Sequence, residues 1–490
     1  MGSRFISILR IQGAMLLVLA ASVALPFFLA IHYEEEAAEQ AFATVLAICL
    51  SLGITIRYCC PPSSSQKLKV RDGFFVVSVA WLICSVIGAL PFLLSGAVSS
   101  PADAFFEACS GFSTTGASIL TDVEALPRSI LFWRSFTHWL GGMGIVVFVI
   151  ALLPVLGISG QIAANAETPG PTKGKFTAHF SDTAKNLYLL YILFTLAEVF
   201  FLKLGGLSLY DALIHSFGTL GSGGFSNYND NVGHFDSAYV QLVIITFMIL
   251  AGMNFNLFFL ARRRGVSALL RDEETRFYLL VIGGASIAVF AANQLFTHFQ
   301  DPAKSLLDSL FQVTSIMTTT GFVTADYNIW PTFSRFILLC LFFFGGCSAS
   351  TSGGIKCARI LVCLKLVRRS ISLRLHPNRI APITLNDAEL PSDTIIKTTN
   401  YIFTYTLVIF AGTLLISVDG LDFISCLSAA ATCIGNVGPG FNMLGPSCNF
   451  AILSDFSTLV CSFLMLAGRL ELITVFVLFS KYYWNPNKAS

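Results

Sequence analysis

Four segments of this 490-residue chain end in small or hydroxyl-bearing residues followed by glycine. They read DAFFEACSGFSTTGAS from Asp103, DALIHSFGTLGSGGFS from Asp211, DSLFQVTSIMTTTGF from Asp308, and a fourth from Asp422 that ends IGNVGPG. Asp103 to Gly116, Asp211 to Gly224 and Asp308 to Gly321 all span thirteen positions. In the fourth segment thirteen positions lead to Gly435, whereas Asn436-Val437-Gly438 matches the other endings better. We favour Gly438, with an insertion in that segment, and leave the register open. The chemistry such endings suit is cation coordination. A dehydrated monovalent cation needs oxygens that replace its water shell, and inward-turned backbone carbonyls supply them. Glycine reaches the required φ/ψ at no steric cost. Candidate filter residues are Thr114, Thr115, Gly116, Ser222, Gly223, Gly224, Thr319, Thr320, Gly321, Asn436, Val437 and Gly438. One such ending alone reads as an ordinary helix–loop turn; four on the same predicted face, three of them at identical spacing, read as a filter.

The composition says what must position them. Hydrophobic residues make up 55% of the chain and charged residues 12%, and the mean hydropathy is +0.74. A soluble domain carries about 25% charged residues, so there is too little charge here to coat water-facing surfaces. A spanning helix needs roughly 20 apolar residues, and candidate spans fall near 8–31, 41–58, 74–97, 129–153, 187–206, 238–261, 277–297, 333–362, 399–418 and 456–480. The four glycine-ended segments lie between spans three and four and then between alternate pairs, and are too short to cross. Irregular backbone at membrane depth is tolerated only where protein buries it or it lines a watery cavity. Short helices ahead of the glycines would aim C-terminal partial negative charge inward, with Asp103, Asp211, Asp308 and Asp422 at their outer N-termini. Basic clusters (Lys67, Lys69, Arg71; Lys173, Lys175, Lys185; Arg262–Arg276; Lys365–Arg379) fall on one side when ten spans are drawn, and Glu34, Glu35, Glu36 and Glu39 on the other. The basic side is cytoplasmic, with both termini, and the four loops enter from outside.

Two further features stand out. The eighth span is interrupted by GGCSASTSGG (345–354). Each glycine costs roughly 1 kcal/mol inside a helix, so a continuous helix is disfavoured. The candidate gate residues are Gly345, Gly346, Ser348, Ser350, Thr351, Ser352, Gly353 and Gly354, with Lys356 beyond them. The competing reading is a tight helix-crossing seam of small residues. Arg469 is the second, an arginine at bilayer depth that needs partners or water. It could meet the loop's carbonyls, form an electrostatic barrier below the filter, or serve as a packing arginine. Glu471, two residues on, points elsewhere on a helix.

Other signals are weak. The net charge of +2 indicates no nucleic-acid partner, and the 13 cysteines show no metal-ligand spacing. GSGG at 221–224 lacks the lysine of a phosphate loop. His138 reads as a core histidine, and no motif supports an enzyme.

The stretches THWLGGMGIVV (137–147), TLGSGGFS (219–226), TTTGF (318–322), GGCSASTSGGIK (345–356), NVGPG (436–440) and GRLEL (468–472) resemble a TrkH-type subunit of the Trk/Ktr/HKT superfamily of potassium transporters. The resemblance implies an all-α polytopic membrane protein of about ten spanning helices. Two extra N-terminal helices (1–70) would precede four helix–pore loop–helix pseudo-repeats around one pore (71–185, 186–272, 273–385 with the gate loop, 386–490). It also implies K⁺ as the transported ion at the filter, no covalent cofactor, a homodimer in a bacterial inner membrane, and a cytoplasmic ring of nucleotide-binding regulatory subunits. The chain has no dinucleotide fingerprint, so nucleotide sensing would be supplied in trans. The expected function is gated K⁺ uptake; the alternative is a sodium-admitting or cation-coupled symporter of the same fold.

Overall fold

The computed structural model describes residues 2–60, 70–142, 144, 180–297, 301–379 and 381–484. Lys67, Lys69, Lys173, Lys175 and the inner part of the fourth expected span lie outside the described residues.

From the N-terminus, α1 (Gly2–His32) and α2 (Glu36–Cys59) form a helical hairpin. Next come α3 (Val70–Leu94), the short α4 (Pro101–Phe112) and α5 (Arg128–Gly142). The long–short–long order recurs in α6 (Phe180–Leu204), α7 (Leu209–Gly221) and α8 (Ala238–Gly252), which continues as α9 (Phe255–Arg264). It recurs again in α10 (Glu273–Thr297), α11 (Pro302–Met317) and α12 (Thr332–Leu341), followed by a non-helical stretch and α13 (Cys357–Leu375). A small antiparallel hairpin, β1 (Thr384–Leu385) with β2 (Ala388–Glu389), leads into α14 (Ser392–Ile416). Last come α15 (Phe423–Gly435), α16 (Asp455–Arg469) and α17 (Leu472–Phe479).

Among the described residues, α1, α2, α3, α6, α10 and α14 contain six stretches long and apolar enough to cross a bilayer. Their outer faces leave Phe28, Leu196, Leu280 and Leu414 exposed. So much apolar surface fits lipid, not water. The glutamate between α1 and α2 fastens this pair to the next unit. Glu35 accepts from the amides of Arg128 (2.6 Å) and Ser129 (3.0 Å), capping α5.

Three expected spans are broken. The sixth turns by 91° between α8 and α9, and the tenth by 113° between α16 and α17. At the first break Gly252 ends α8, and the Asn254 side chain caps α9 by accepting from Asn256 N at 3.0 Å. At the second, Glu471 sits at φ +61, which an α-helix excludes. Only the eighth interruption, at residues 342–356, follows the expectation from sequence.

The four short helices are buried through their C-terminal halves, and each is capped by an oxygen-bearing side chain. Ser100 and Ser208 cap α4 and α7 by accepting from Asp103 N (3.5 Å) and Asp211 N (3.0 Å). In α15 the roles are exchanged: Asp422 is the cap and accepts from Ser425 N at 3.2 Å. A side-chain oxygen here satisfies an amide that the first helical turn leaves unpaired. One expectation is corrected at α11. Asp308 lies inside that helix, because Asp301, about two turns earlier, caps it, accepting from Ala303 N (2.9 Å) and Lys304 N (3.2 Å).

Candidate functional site

Each short helix ends in the same backbone signature. A residue with left-handed φ follows (Thr114 +57°, Ser222 +58°, Thr319 +56°, Asn436 +55°), and two positions later comes a left-handed glycine (Gly116 +84°, Gly224 +75°, Gly321 +79°, Gly438 +109°). This conformation pairs Asn436-Val437-Gly438 with Thr114-Thr115-Gly116 and leaves Gly435 as the last residue of α15. The fourth segment needs no insertion. Counted from the capping position, Ser100 to Gly116, Ser208 to Gly224 and Asp422 to Gly438 are all sixteen residues. Ser305 to Gly321 is also sixteen, with α11 extended one turn outward.

The four glycines close a ring. A Cβ on Gly116 would lie 1.9 Å from the carbonyl oxygen of Gly223, and one on Gly224 2.2 Å from that of Thr320. On Gly321 it would lie 2.1 Å from the Val437 oxygen, and on Gly438 2.7 Å from the Thr115 oxygen. Each segment therefore packs its glycine against the residue preceding the next segment's glycine, and the last returns to the first. Non-glycine residues in left-handed conformation cost on the order of 1–3 kcal/mol and persist when surroundings hold them. Here hydroxyls do so: Ser113 Oγ lies 2.7 Å from Thr115 Oγ1, and Thr318 Oγ1 2.8 Å from Thr320 Oγ1. Asn436 Nδ2 donates to Thr115 Oγ1 (2.9 Å) and to Met465 O (3.0 Å). On one side of the ring lies a cavity of about 480 Å³ that all four glycines line.

The interrupted eighth span fills the opposite side. Thr351 Oγ1 lies 2.7 Å from Ser222 Oγ, and Gly353 N donates to Thr319 Oγ1 at 2.6 Å. Gly353 also packs on the fourth segment, where a Cβ would meet the Gly435 oxygen at 2.4 Å. The loop thus touches the left-handed residues of segments two and three and the backbone of segment four. Its neck is closed by Gly345 N to Ile355 O (2.9 Å) and Cys357 N to Gly346 O (3.1 Å). Carbonyls freed by the α8–α9 break receive it too: Cys347 N donates to Gly252 O at 2.7 Å, and Thr351 Oγ1 to Ala251 O at 3.2 Å.

Arg469 reaches this loop from the end of α16. Its Nη1 donates to Thr351 O (2.7 Å), and its Nη2 to Gly141 O (2.7 Å) and Gly142 O (3.1 Å). One guanidinium thus joins the loop to α5 beneath the first segment. Lys356 is buried and donates to Ser352 O and to Ser350 Oγ (3.3 Å), within the loop itself. Glu471 turns away to pair with Arg359 at 2.6 Å.

Comparison with known proteins decides the family. Residues 38–488 match the TrkH family, described as "Cation transport protein". The chain belongs to the TrkH family. It is 35% identical over 487 residues to the Trk system potassium uptake protein TrkH of Salmonella typhimurium, covering 98% of this chain and 99% of that protein. It is 34% identical over 464 residues to TrkG of Escherichia coli K12, covering 94% of each. The crystal structure of the potassium transporter TrkH from Vibrio parahaemolyticus superposes with a TM-score of 0.88 at 32% identity, covering 98% of this chain and all of that one. Membership in a cation-transport family makes this a transporter and not an enzyme.

In this TrkH-family chain one site residue escaped sequence reasoning. Glu274, buried in the first turn of α10, uses a single carboxylate oxygen to accept from Ser348 N (2.6 Å), Ser348 Oγ (3.1 Å) and Ala358 N (3.0 Å). It therefore holds both limbs of the loop. Glu273-Glu274 reads in sequence as ordinary first-turn acids of a helix, and the loop partner lies more than seventy residues away. His138, set aside as a core histidine, packs directly behind the ring. A Cβ on Gly223 would meet its Cγ at 2.3 Å, and its Nδ1 lies 2.7 Å from Gly111 O.

Proposed function

We propose that this chain admits K⁺ through the glycine ring, from the 480 Å³ outer cavity toward the cytoplasm, and that the loop at 342–356 gates the path. The observation that carries the reading is the closed circuit of four glycines, each against the carbonyl of the neighbouring segment. Such a ring of uncharged oxygens suits a dehydrated monovalent cation. The relatives named as potassium uptake proteins agree with K⁺ as the cargo. The filter residues are Thr114–Gly116, Ser222–Gly224, Thr319–Gly321 and Asn436–Gly438, in four pseudo-repeats about one axis preceded by the α1–α2 pair. The gate is the loop with Lys356 and Arg469: it touches three of the four segments on their inner side, and Arg469 latches it. The chain works as a multi-pass homodimer in a bacterial inner membrane, termini cytoplasmic, with a nucleotide-binding regulatory subunit acting on the cytoplasmic face.

The test is rubidium and sodium influx into liposomes holding the purified protein. Rubidium entry well above sodium entry is expected. Equal entry of the two would overturn the potassium reading in favour of a sodium-admitting or cation-coupled transporter of the same fold.

A further inference from the structure

We propose that Glu107 and Arg134 are positioning residues for ion selection: their buried ion pair fixes the outer rim of the first ring segment against that of the second. The proposal rests on the filter reading above and assigns it a residue pair.

Glu107 lies on α4 and Arg134 on α5, with side chains 0% and 4% exposed and Nε 2.5 Å from the carboxylate. Each partner holds a different rim. Glu107 accepts from Ser118 Oγ (3.0 Å) and Ile119 N (3.1 Å), the backbone just outside Gly116. Arg134 Nη1 donates to Ser226 O (2.9 Å), just outside Gly224. Its guanidinium also lies 3.6 Å from the centroid of Phe225. Phe225 in turn stacks on His138 at 4.1 Å, the ring that Gly223 abuts. The pair therefore reaches the ring by two routes, through the rim strands and through the aromatic stack behind segment two.

Among the described residues the other junctions hold no ion pair, although Arg335 Nη2 donates to Asn442 Oδ1 at 2.6 Å between segments three and four. Asn231 bridges segments two and three, donating to Gly224 O (3.1 Å) and accepting from Val323 N (3.2 Å). Tyr327 OH donates to Gly440 O (2.8 Å) between three and four, and Phe450 N to Ser118 O (2.8 Å) between four and one. Glu107 also occupies a recurring place. At the matching positions of α7 and α11, His215 Nε2 lies 3.0 Å from Ser226 Oγ and Gln312 Nε2 donates to Thr324 Oγ1 at 3.4 Å. In each case a side chain four residues beyond the shared aspartate braces a hydroxyl outside the glycine. Thr324 Oγ1 also donates to Asp308 at 2.9 Å, but only in the first of these three is the residue at the matching position an acid paired with an arginine. A buried pair of zero net charge adds little field along the axis, while a partner lost from it leaves an uncompensated buried ion. Geometry, not field, is what the pair supplies.

The experiment compares the rubidium-to-sodium influx ratio of the full chain in liposomes for Arg134→Lys, Glu107→Asp and Phe225→Leu. The first two keep both charges but shorten the reach; the third leaves the pair and removes the stack. Gly321→Ser serves as a variant of the ring itself. The expected result is a ratio lowered at least about fivefold in each, the factor corresponding to one net hydrogen bond. A merely structural role would lower the yield of folded protein and leave the ratio of the folded fraction alone. Wild-type ratios in the folded pair and stack variants, with a changed ratio in Gly321→Ser, would overturn this proposal and leave the filter standing. Unchanged ratios in all four would overturn both.

Discussion

Gly321→Ser is the sharpest probe of the ring. At φ +79 the backbone suits glycine, and the new Cβ would stand 2.1 Å from the Val437 oxygen and 3.2 Å from Pro439 Cδ. Ordinary contact begins near 3.5 Å, so the oxygen must retreat by roughly 1 Å or more, or the serine segment must turn. Left-handed strain adds about 1–2 kcal/mol. A stability margin of about 5–15 kcal/mol absorbs such a loss, so the variant is expected to fold. Ion discrimination is expected to suffer more. Moving one of the four carbonyls out of register removes about 1.4 kcal/mol of preference, a tenfold fall in the rubidium-to-sodium ratio. The assay is paired influx into liposomes at equal external concentrations, with gel filtration in detergent to establish folding. Gly283→Ser is the control: nothing lies within 4 Å of its would-be Cβ, and it sits in regular helix. An unchanged ratio in folded Gly321→Ser, or an equal fall in Gly283→Ser, would refute the reasoning.

Three other perturbations follow from the same geometry. Removing Ser348–Ser352 is expected to raise influx in the absence of any partner; unchanged influx in folded protein would favour a packing seam over a gate. Arg469→Gln loses most of the three carbonyl contacts, and charged hydrogen bonds are worth about 1.5–3 kcal/mol each. Basal influx should therefore rise by an order of magnitude or more, and a fall would instead mark Arg469 as a conduction residue. Outside the spanning segments, the Asn229 amide holds the Asp122 carboxyl below its ordinary value. A lowered value means that this link between segments one and two is complete above the ordinary range and is lost as pH falls through the lowered one. Hydrogen exchange at Val123 N, which donates to Asn229 Oδ1 at 2.8 Å, should show intact protection down to about pH 4 after intrinsic correction. Loss of protection already near pH 6 would contradict this.

Much of the ring was legible because its parts are local. The glycine endings and their shared spacing depend on helix capping and on left-handed backbone, both set by residues within sixteen positions. The fourth segment misled because the count began from an aspartate. In α4 and α7 the acid follows the cap by three residues, whereas in α15 the acid is the cap and serine follows. The apparent insertion is that exchange of roles. The α8–α9 and α16–α17 bends were not legible, although Asn254 and Glu471 mark them. Apolar composition continues across both breaks, and what stabilises them is distant: the loop on the Ala251 and Gly252 carbonyls, and Arg359 on Glu471. Glu274 was invisible for the same reason.

The loop and the ring share hydrogen bonds at Ser222 and Thr319. Withdrawing the loop frees those two hydroxyls, so the energy of an ion seated nearby differs between the two loop positions. Linkage is reciprocal: whatever the loop's departure does to ion affinity, ion occupancy does to the loop's departure. On the proposed reading, the concentration of the cargo outside the cell would thereby act on the position of the loop. Accessibility of a cysteine placed at Ser350 should then shift with external K⁺ alone, in liposomes containing no other protein.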